Sequence, residues 1–137
     1  MFKPKVSIIL PNYNSHQYVS DTLNSIINQS YKNWELILVD DNSDKNTREI
    51  LNNYIKEKNI KIIFLKKNMG TAFCRNYALR LSSSEYVAFI DSDDAWQINK
   101  LEEQVNFMIQ NNYLFSYTNY STFRSNNLNK LLKVIYP

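Results

Sequence analysis

Glycine is almost absent from this chain of 137 residues, which contains a single one, Gly70. A dinucleotide site and a P-loop both need a glycine-rich turn after the first strand, because backbone amides must approach the phosphates closely. The first apolar stretch of this chain instead runs into Pro11-Asn12-Tyr13-Asn14. The sequence therefore excludes both of these phosphate-binding loops.

Cysteine is equally scarce, and the single thiol of Cys74 cannot form an internal disulfide. This composition is compatible with a reducing cytoplasm. The chain also lacks a long hydrophobic run near its start, where only about six apolar residues follow Lys5, too few for a secretion signal or a membrane span. We therefore expect a cytoplasmic protein without either segment.

Positive charge is not concentrated in any run of the chain. The net charge is +3, and no dense run of lysine and arginine occurs, so we expect no nucleic-acid partner. A hydrophobic fraction of 44% is typical of a globular protein. The length suits one domain, 1–137, or part of a larger one.

Apolar stretches with strand character alternate with stretches of helical periodicity along the chain. The predicted strands cover residues 6–10, 34–39, 60–65, 86–90 and 113–120. Pro11 is expected to end the first strand, since it cannot donate to a ladder. Phe73, Tyr77 and Leu81 are expected on one face of the helix that Gly70 opens. This alternation predicts an α/β fold with a mainly parallel sheet flanked by helices.

Polar side chains recur where the predicted strands end. Asn12, Asp40, Asp41 and Asn68 follow the first three strands, and 91–94 follow the fourth. The carboxyl ends of parallel strands meet at one crevice, so we expect a polar ligand site there.

The fourth strand is predicted to be buried, and three carboxylates follow it within four residues. Asp91, Asp93 and Asp94 repel one another unless a positive charge lies between them. Oxygen ligands favour Mg²⁺ or Mn²⁺, which gives one interpretation of this cluster. The other is an acidic turn that caps the next helix. The residues alone leave both open.

Four motifs together resemble the N-terminal part of a family 2 glycosyltransferase of the GT-A fold, over residues about 5 to 105. The motifs are Val6-Ser7-Ile8-Ile9-Leu10-Pro11-Asn12-Tyr13-Asn14, the run from Glu35 to Asp44, Asn68-Met69-Gly70-Thr71-Ala72 with Arg75-Asn76, and Phe89-Ile90-Asp91-Ser92-Asp93-Asp94 with Trp96, Lys100 and Leu101. The resemblance implies a single GT-A-type, Rossmann-like domain that is incomplete at its C-terminus. Its nucleotide-binding half would cover about 5–120, and 121–137 would be loop and tail.

The resemblance also implies site residues. The nucleotide-sugar site would contain Pro11, Tyr13, Asp41, Asn68, Arg75, Asp91 and Ser92, with Asp41 reaching the uracil of a UDP-sugar. Asp93, together with Asp91, would bind the Mn²⁺ or Mg²⁺ that holds the diphosphate.

The implied reaction is an inverting transfer of the sugar to an acceptor hydroxyl, for which a general base is required. The family places this base, an aspartate, well beyond the D-x-D motif. Residues 104–137 contain neither aspartate nor glutamate, so the catalytic residue stays unknown. The chain is then a donor-binding half, such as a truncated gene product, or a non-catalytic nucleotide-sugar-binding module. A nucleotidyltransferase is a third hypothesis, against which the missing glycine-rich loop counts.

Partners follow from the resemblance and from exposed surface. The resemblance implies a nucleotide-sugar donor and a saccharide or lipid-linked acceptor, used for polysaccharide or lipid-linked oligosaccharide assembly on the cytoplasmic face of the membrane. Aromatic side chains along 113–123 are expected to be poorly covered, which favours a homodimer. A basic tail with Arg124, Lys130 and Lys133 could contact anionic lipid, although scattered cations usually form a solvated face.

Overall fold

The computed structural model describes residues 3–123 and 131–135. Within these ranges the secondary-structure elements are, in chain order, β1 (Val6–Asn12), α1 (Val19–Ile27), β2 (Trp34–Asp40), α2 (Lys45–Asn52), β3 (Ile60–Phe64), α3 (Thr71–Leu81), β4 (Tyr86–Phe89), α4 (Lys100–Asn111), β5 (Tyr120–Phe123) and β6 (Leu131–Ile135). Strands β1 to β4 form one parallel sheet in the order β3-β2-β1-β4. The predicted α/β class with a mainly parallel sheet is confirmed.

Strand β1 lies inside the sheet and is buried along its whole length. Side chains alternate between the two faces of a strand. Ile8 and Leu10 join a large core that also contains Leu23 of α1 and Leu51 of α2. On the opposite face Ile9 packs in a smaller core with residues of α3. The two helical layers therefore fix β1 from both sides, and its carboxyl end is held in place.

The prediction that Pro11 ends β1 is wrong, because the strand continues to Asn12. The carbonyl of Ile9 accepts a hydrogen bond from the Ile90 amide, on the β4 side of β1. Alternate residues of a parallel strand bond to alternate neighbours, so the Pro11 nitrogen faces this same side. The pairing of β1 with β4 ends at Ile9 and Phe89, before Pro11 is reached. The missing N–H of the proline therefore removes no hydrogen bond between these strands.

The prediction that the fourth strand is buried is also wrong. Strand β4 pairs only with β1 among the described strands, and its exposed fraction alternates, with Val87 at 39% and Phe89 at 52%. Phe89 is the register partner of Ile9 and lies on the face that α3 covers. Because α3 packs on β1 and β2, that face of β4 is left open.

The predicted apolar face of helix α3 is present, but it is largely exposed and is not the face that packs on the sheet. Phe73, Tyr77 and Leu81 are each exposed by more than a third, and the rings of Phe73 and Tyr77 stack at 5.9 Å between centroids. The side chains that α3 buries against the sheet are the small ones, Cys74 and Ala78. Small residues let the helix approach the strands closely.

The predicted strand over 113–120 is wrong as well. Residues 113–119 have no regular secondary structure, and β5 pairs antiparallel with β6 in a separate two-stranded sheet. Strand β6 lies where the sequence predicted only a tail. The expected exposure of aromatic side chains is confirmed for Phe115, Tyr117 and Tyr120, at 78%, 68% and 60%. The structure does not describe the side chains of Phe123 and Lys133, nor Arg124 and Lys130, so the predicted basic tail lies outside the described residues.

Glu35 joins three segments at the amino end of the sheet. Its carboxylate accepts hydrogen bonds from the Lys5 ammonium at 2.6 Å, the Ser7 hydroxyl at 2.6 Å and the Ser84 hydroxyl at 3.2 Å. Burial acts to raise the pKa of Glu35, but the hydrogen bonds and the charge of Lys5 outweigh it, and the net pKa is lowered from 4.5. The charged carboxylate therefore stabilises the fold.

Replacing Glu35 with Gln should lower the free energy of unfolding by about 1 kcal/mol at pH 7, since a charge-assisted contact with a partly exposed lysine is lost. A carboxylate whose pKa is lowered on folding stabilises above its unfolded pKa, so the difference should hold above pH 4.5 and shrink as the pH falls below it. Urea unfolding at several pH values measures this. Glu49→Gln, which breaks an exposed pair with Lys45, is the control and should change little.

Candidate functional site

A cavity of about 320 Å³ opens at the carboxyl ends of β1, β2 and β4, beside the start of α3. The residues that line it are Pro11, Asn12, Tyr13, Asp41, Thr71, Cys74, Arg75, Asp91, Ser92 and Asp93. Seven of the eight predicted site residues are among them. Their four segments are far apart in the chain, and the parallel sheet brings them together because its strand ends share one edge.

The exits of β1 and β2 are joined by a network of buried polar groups. The Asn12 amide donates to Asp40 Oδ1 at 2.8 Å and accepts from the Ser15 hydroxyl. Asn14 adopts a left-handed backbone with φ of 47°, and its side-chain oxygen accepts from the Asp44 amide at 2.8 Å. The turn is therefore fixed at both ends, and Tyr13, which lies between these asparagines, keeps 53% of its surface exposed at the cavity.

Asp41 is held by the amino end of α3. Its Oδ1 accepts from the Met69 amide at 2.6 Å and its Oδ2 from the Gly70 amide at 2.8 Å, which suits a carboxylate at a helix N-terminus. Gly70 has a φ of 89°, a conformation that strains any residue with a side chain. The only glycine of the sequence thus presents the amides that orient Asp41.

Charge in the cavity is unbalanced toward the negative. Asp41, Asp91 and Asp93 face a single guanidinium, that of Arg75, which pairs with Asp91 at 2.5 Å. One ion pair leaves two negative charges without a positive partner in the lining. Partial burial, followed by the charges of Asp93 and Asp91, raises the pKa of the neighbouring Asp94. The site therefore favours a cation.

The acidic loop after β4 is held in place by α1 and the residues that follow it. The Thr22 hydroxyl donates to the Ser92 carbonyl at 3.0 Å. Gln29, fully buried, donates to the Gln97 carbonyl at 2.7 Å and accepts from the Leu101 amide at 3.0 Å. These contacts link the acidic loop and the start of α4 to the core.

The interpretation of the acidic run as a helix cap is wrong. Helix α4 begins at Lys100 after the N-cap residue Asn99, and no side chain caps it. The Asp94 amide instead closes a turn onto the Asp91 carbonyl at 3.1 Å. Asp94 does not line the cavity, whereas Asp91 and Asp93 do.

Asn68 is the one predicted site residue that the structure places outside the cavity lining. Its amide donates to the Asp41 carbonyl at 3.3 Å, so it supports the loop that carries Asp41. The site prediction omitted Asn12, Thr71 and Cys74, which line the cavity. Asn12 could have been found because it follows the first strand, and Thr71 because it belongs to the third motif. Nothing in the sequence indicated Cys74, which the packing of α3 brings to the cavity.

Cys74 is buried, although it lines the cavity. Burial and, after it, the charge of Asp41 raise the pKa of its thiol to about 12. The thiol therefore stays protonated at neutral pH and is unsuited to act as a nucleophile.

This chain is similar to known glycosyltransferases. The model of glycosyl transferase family 2 matches residues 7–135. The putative teichuronic acid biosynthesis glycosyltransferase TuaG of Bacillus subtilis is 46% identical over 121 residues, which cover 88% of this chain and 48% of that protein. UDP-Glc:alpha-D-GlcNAc-diphosphoundecaprenol beta-1,3-glucosyltransferase WfgD of Escherichia coli is 41% identical over 90% of this chain and 48% of its own. This chain thus spans about half the length of these relatives.

Solved structures give the same result. The structure of TarS 1-349 from S. aureus in complex with UDP superposes with a TM-score of 0.72 and 35% identity, covering 77% of this chain and 32% of that one. The mannosyltransferase PcManGT of Pyrobaculum calidifontis, in complex with GDP-Man and Mn²⁺, has a TM-score of 0.72 at 24% identity, over 79% of this chain and 33% of that one, which shows the fold alone. These likenesses confirm the predicted GT-A fold.

None of the helices within 3–123 has the length and apolar content that crossing a bilayer requires.

Proposed function

The chain belongs to glycosyl transferase family 2, and we propose that its residues about 5–120 are the donor-binding half of an enzyme that transfers a sugar from a UDP-sugar to an acceptor hydroxyl. One observation supports this most directly. Four separate segments place Tyr13, Asp41, Arg75 and Asp93 around one cavity, which combines an aromatic ring, a guanidinium and carboxylates. Each of these groups can serve in binding a nucleoside diphosphate together with its cation.

Recognition of the uracil base is the proposed role of Asp41. A carboxylate oxygen can accept more than one hydrogen bond, so each oxygen keeps capacity beyond its backbone amide. The imide N–H of uracil is a suitable donor. The ring of Tyr13 is exposed and can stack on a base, and Arg75 can donate to a base carbonyl or to the sugar.

A divalent cation fits the donor set at the other end of the cavity. A diphosphate entering a lining with three carboxylates and one guanidinium requires a compensating cation. Among the described residues, no three acidic, histidine or cysteine side chains converge to hold a metal. Mg²⁺ and Mn²⁺ commonly take one or two carboxylates and complete their shell with substrate phosphates and water. Asp93 and Asp91 would hold it, and when bound it would stabilise the departing diphosphate.

The transfer step requires a catalytic base, and no carboxylate that lines the cavity is available for this role. Inversion requires a base that removes the acceptor proton as the hydroxyl attacks. Each carboxylate that lines the cavity already has a proposed role, in binding uracil, in pairing with Arg75 or in holding the cation. Residues 104–137 contain no aspartate or glutamate that could act as the catalytic base. We propose that the base belongs to an acceptor-binding part.

The proposed acceptor is a saccharide, free or linked to a membrane lipid. The name of WfgD specifies a diphosphoundecaprenol-linked acceptor for that relative. An acceptor of this kind would place the protein at the cytoplasmic face of the membrane, with peripheral contact. The exposed Phe115 and Tyr117 could serve a homodimer at such a surface.

Calorimetry with UDP tests this function. We expect UDP to bind in the presence of Mn²⁺ and to bind at least about tenfold more weakly in EDTA, since two carboxylates then face the diphosphate uncompensated. UTP should bind no more tightly than UDP, in contrast to a nucleotidyltransferase. Absence of UDP binding with either metal would overturn the proposal. Robust sugar transfer by these 137 residues alone would overturn the assignment as a donor-binding half.

A further inference from the structure

Arg48 lies on α2, outside the cavity lining, and contacts three segments that end near the cavity. Its Nε is 3.4 Å from Asp40 Oδ2, and its terminal nitrogen donates to Asn42 Oδ1 at 3.0 Å and to the Leu65 carbonyl at 3.1 Å. Asp40 is fully buried, whereas the Arg48 side chain is 35% exposed. One side chain therefore joins the end of β2, the turn after it and the residue after β3.

Each of these segments leads to Asp41. Asp40 and Asn42 are its neighbours in the chain. Leu65 begins the segment 65–70, whose Met69 and Gly70 amides bind both oxygens of the Asp41 carboxylate. Arg48 thus anchors both the chain neighbours of Asp41 and the segment 65–70, whose amides orient the Asp41 carboxylate.

The link continues to β1 through the other oxygen of Asp40. Asp40 Oδ1 accepts from the Asn12 amide at 2.8 Å, and the Asp41 amide donates to the Asn12 carbonyl at 2.8 Å. Moving Asp40 would therefore displace Asp41 relative to the β1 side of the cavity, where Tyr13 lies.

We propose that Arg48 is a positioning residue that sets the orientation of Asp41 and, through it, the preference for uracil over cytosine. This inference rests on the proposed function, in which Asp41 accepts the uracil imide N–H. Cytosine has no N–H at that ring position, so UDP and CDP differ at the group that Asp41 reads.

Arginine suits this position for a geometric reason. Its planar fork offers several donors in fixed directions, whereas a lysine is a single flexible ammonium. The guanidinium also lies 5.6 Å from the centre of the Phe64 ring, which adds a cation–π contact. A lysine could keep the charge near Asp40 but could not hold Asn42 and Leu65 at the same time.

The test is calorimetry with UDP and CDP in Mn²⁺, well below the melting temperature of each variant. Arg48→Met and Arg48→Lys should both lower the UDP-over-CDP preference about tenfold, because the base hydrogen bond is misaligned, while affinity for CDP stays within about twofold. Lys45→Met removes an exposed cation from the same helix and should preserve the preference.

Should Arg48→Met not fold, Asn42→Gly removes one of the three contacts without strain, because φ at position 42 is already 61°. It should lower the preference by a smaller factor.

Three results would overturn the inference. Equal loss of affinity for UDP and CDP would show that Arg48 only stabilises the fold, and a preference retained by Arg48→Lys would show that charge alone matters. A wild-type protein that binds UDP and CDP equally well would remove the base contact assigned to Asp41. Failure of the wild-type protein to bind UDP at all is a separate result, which overturns the proposed function itself.

Discussion

Replacing Asp93 with Asn should remove most of the metal-dependent affinity for UDP. In Mn²⁺ the dissociation constant should rise about 100-fold, because even partners that only support metal ligands typically cost 10- to 100-fold. An amide oxygen keeps the shape of the side chain but carries no charge, and it binds a hard divalent cation more weakly than a carboxylate oxygen does. Affinity measured in EDTA should not fall, since the substitution removes one of the charges that repel the diphosphate.

Asp94→Asn is the matched control for that measurement. It removes the same charge from the same loop, but Asp94 does not line the cavity. Its effect on UDP affinity in Mn²⁺ should stay within about twofold to threefold, since only a long-range charge is lost. If Asp94→Asn lowers the UDP affinity in Mn²⁺ more than Asp93→Asn does, then Asp94, and not Asp93, is the metal ligand. Equal affinity of the wild-type protein in Mn²⁺ and EDTA would eliminate the metal site.

The strands that position the site could be predicted from sequence because each is a short apolar run followed at once by polar residues. Strands β1 and β2 have this pattern, and their ends carry Asn12 and Asp41. The parallel arrangement follows from the helices between them. Because strand ends share an edge, Asn12, Asp41 and 91–93 could be placed at one site from the sequence pattern, whereas Tyr13 and Arg75 entered the prediction only through the resemblance to family 2 glycosyltransferases.

The errors arose where local pattern and tertiary environment disagree. Pro11 would break a strand with neighbours on both sides, but β4 ends too early to need its donor. Strand β4 reads as buried because Val87 and Phe89 are apolar, although no described element covers them. Residues 113–119 have the alternation of a strand, but within the described part of the chain they pair with no other strand, and only Tyr120 belongs to one, at the start of β5.

Residues that act through others were beyond sequence reasoning. Gln29 follows a helix, and Arg48 lies in the middle of one, positions where polar side chains are usually solvated. Only coordinates show that Gln29 is fully buried and that Arg48 joins three segments. The Arg75 pair with Asp91 belongs to the same class, because nothing in either motif indicates that the guanidinium neutralises that aspartate.

Removing the Arg75–Asp91 ion pair is expected to change the affinities for UDP and for Mn²⁺ alone in opposite directions. Arg75→Met should weaken the UDP–Mn²⁺ complex about 30-fold, since a hydrogen bond from a charged donor contributes about 1.5–3 kcal/mol. It should strengthen binding of Mn²⁺ alone about threefold to tenfold, because Asp91 loses its internal cation and can act as a metal ligand. Electron paramagnetic resonance of free Mn²⁺ measures the second effect, and calorimetry with UDP measures the first.

The two signs separate the ion pair from a general loss of structure. A disturbed fold would weaken Mn²⁺ and UDP binding together, and that result would contradict the prediction. Arg80→Met removes an exposed cation from the last turn of the same helix and should change neither constant. If the expected pattern is found, Arg75 occupies the place of the cation while the cavity is empty. The metal then binds effectively only together with the nucleoside diphosphate, whose phosphates supply the remaining ligands and whose base or sugar gives the guanidinium a new acceptor.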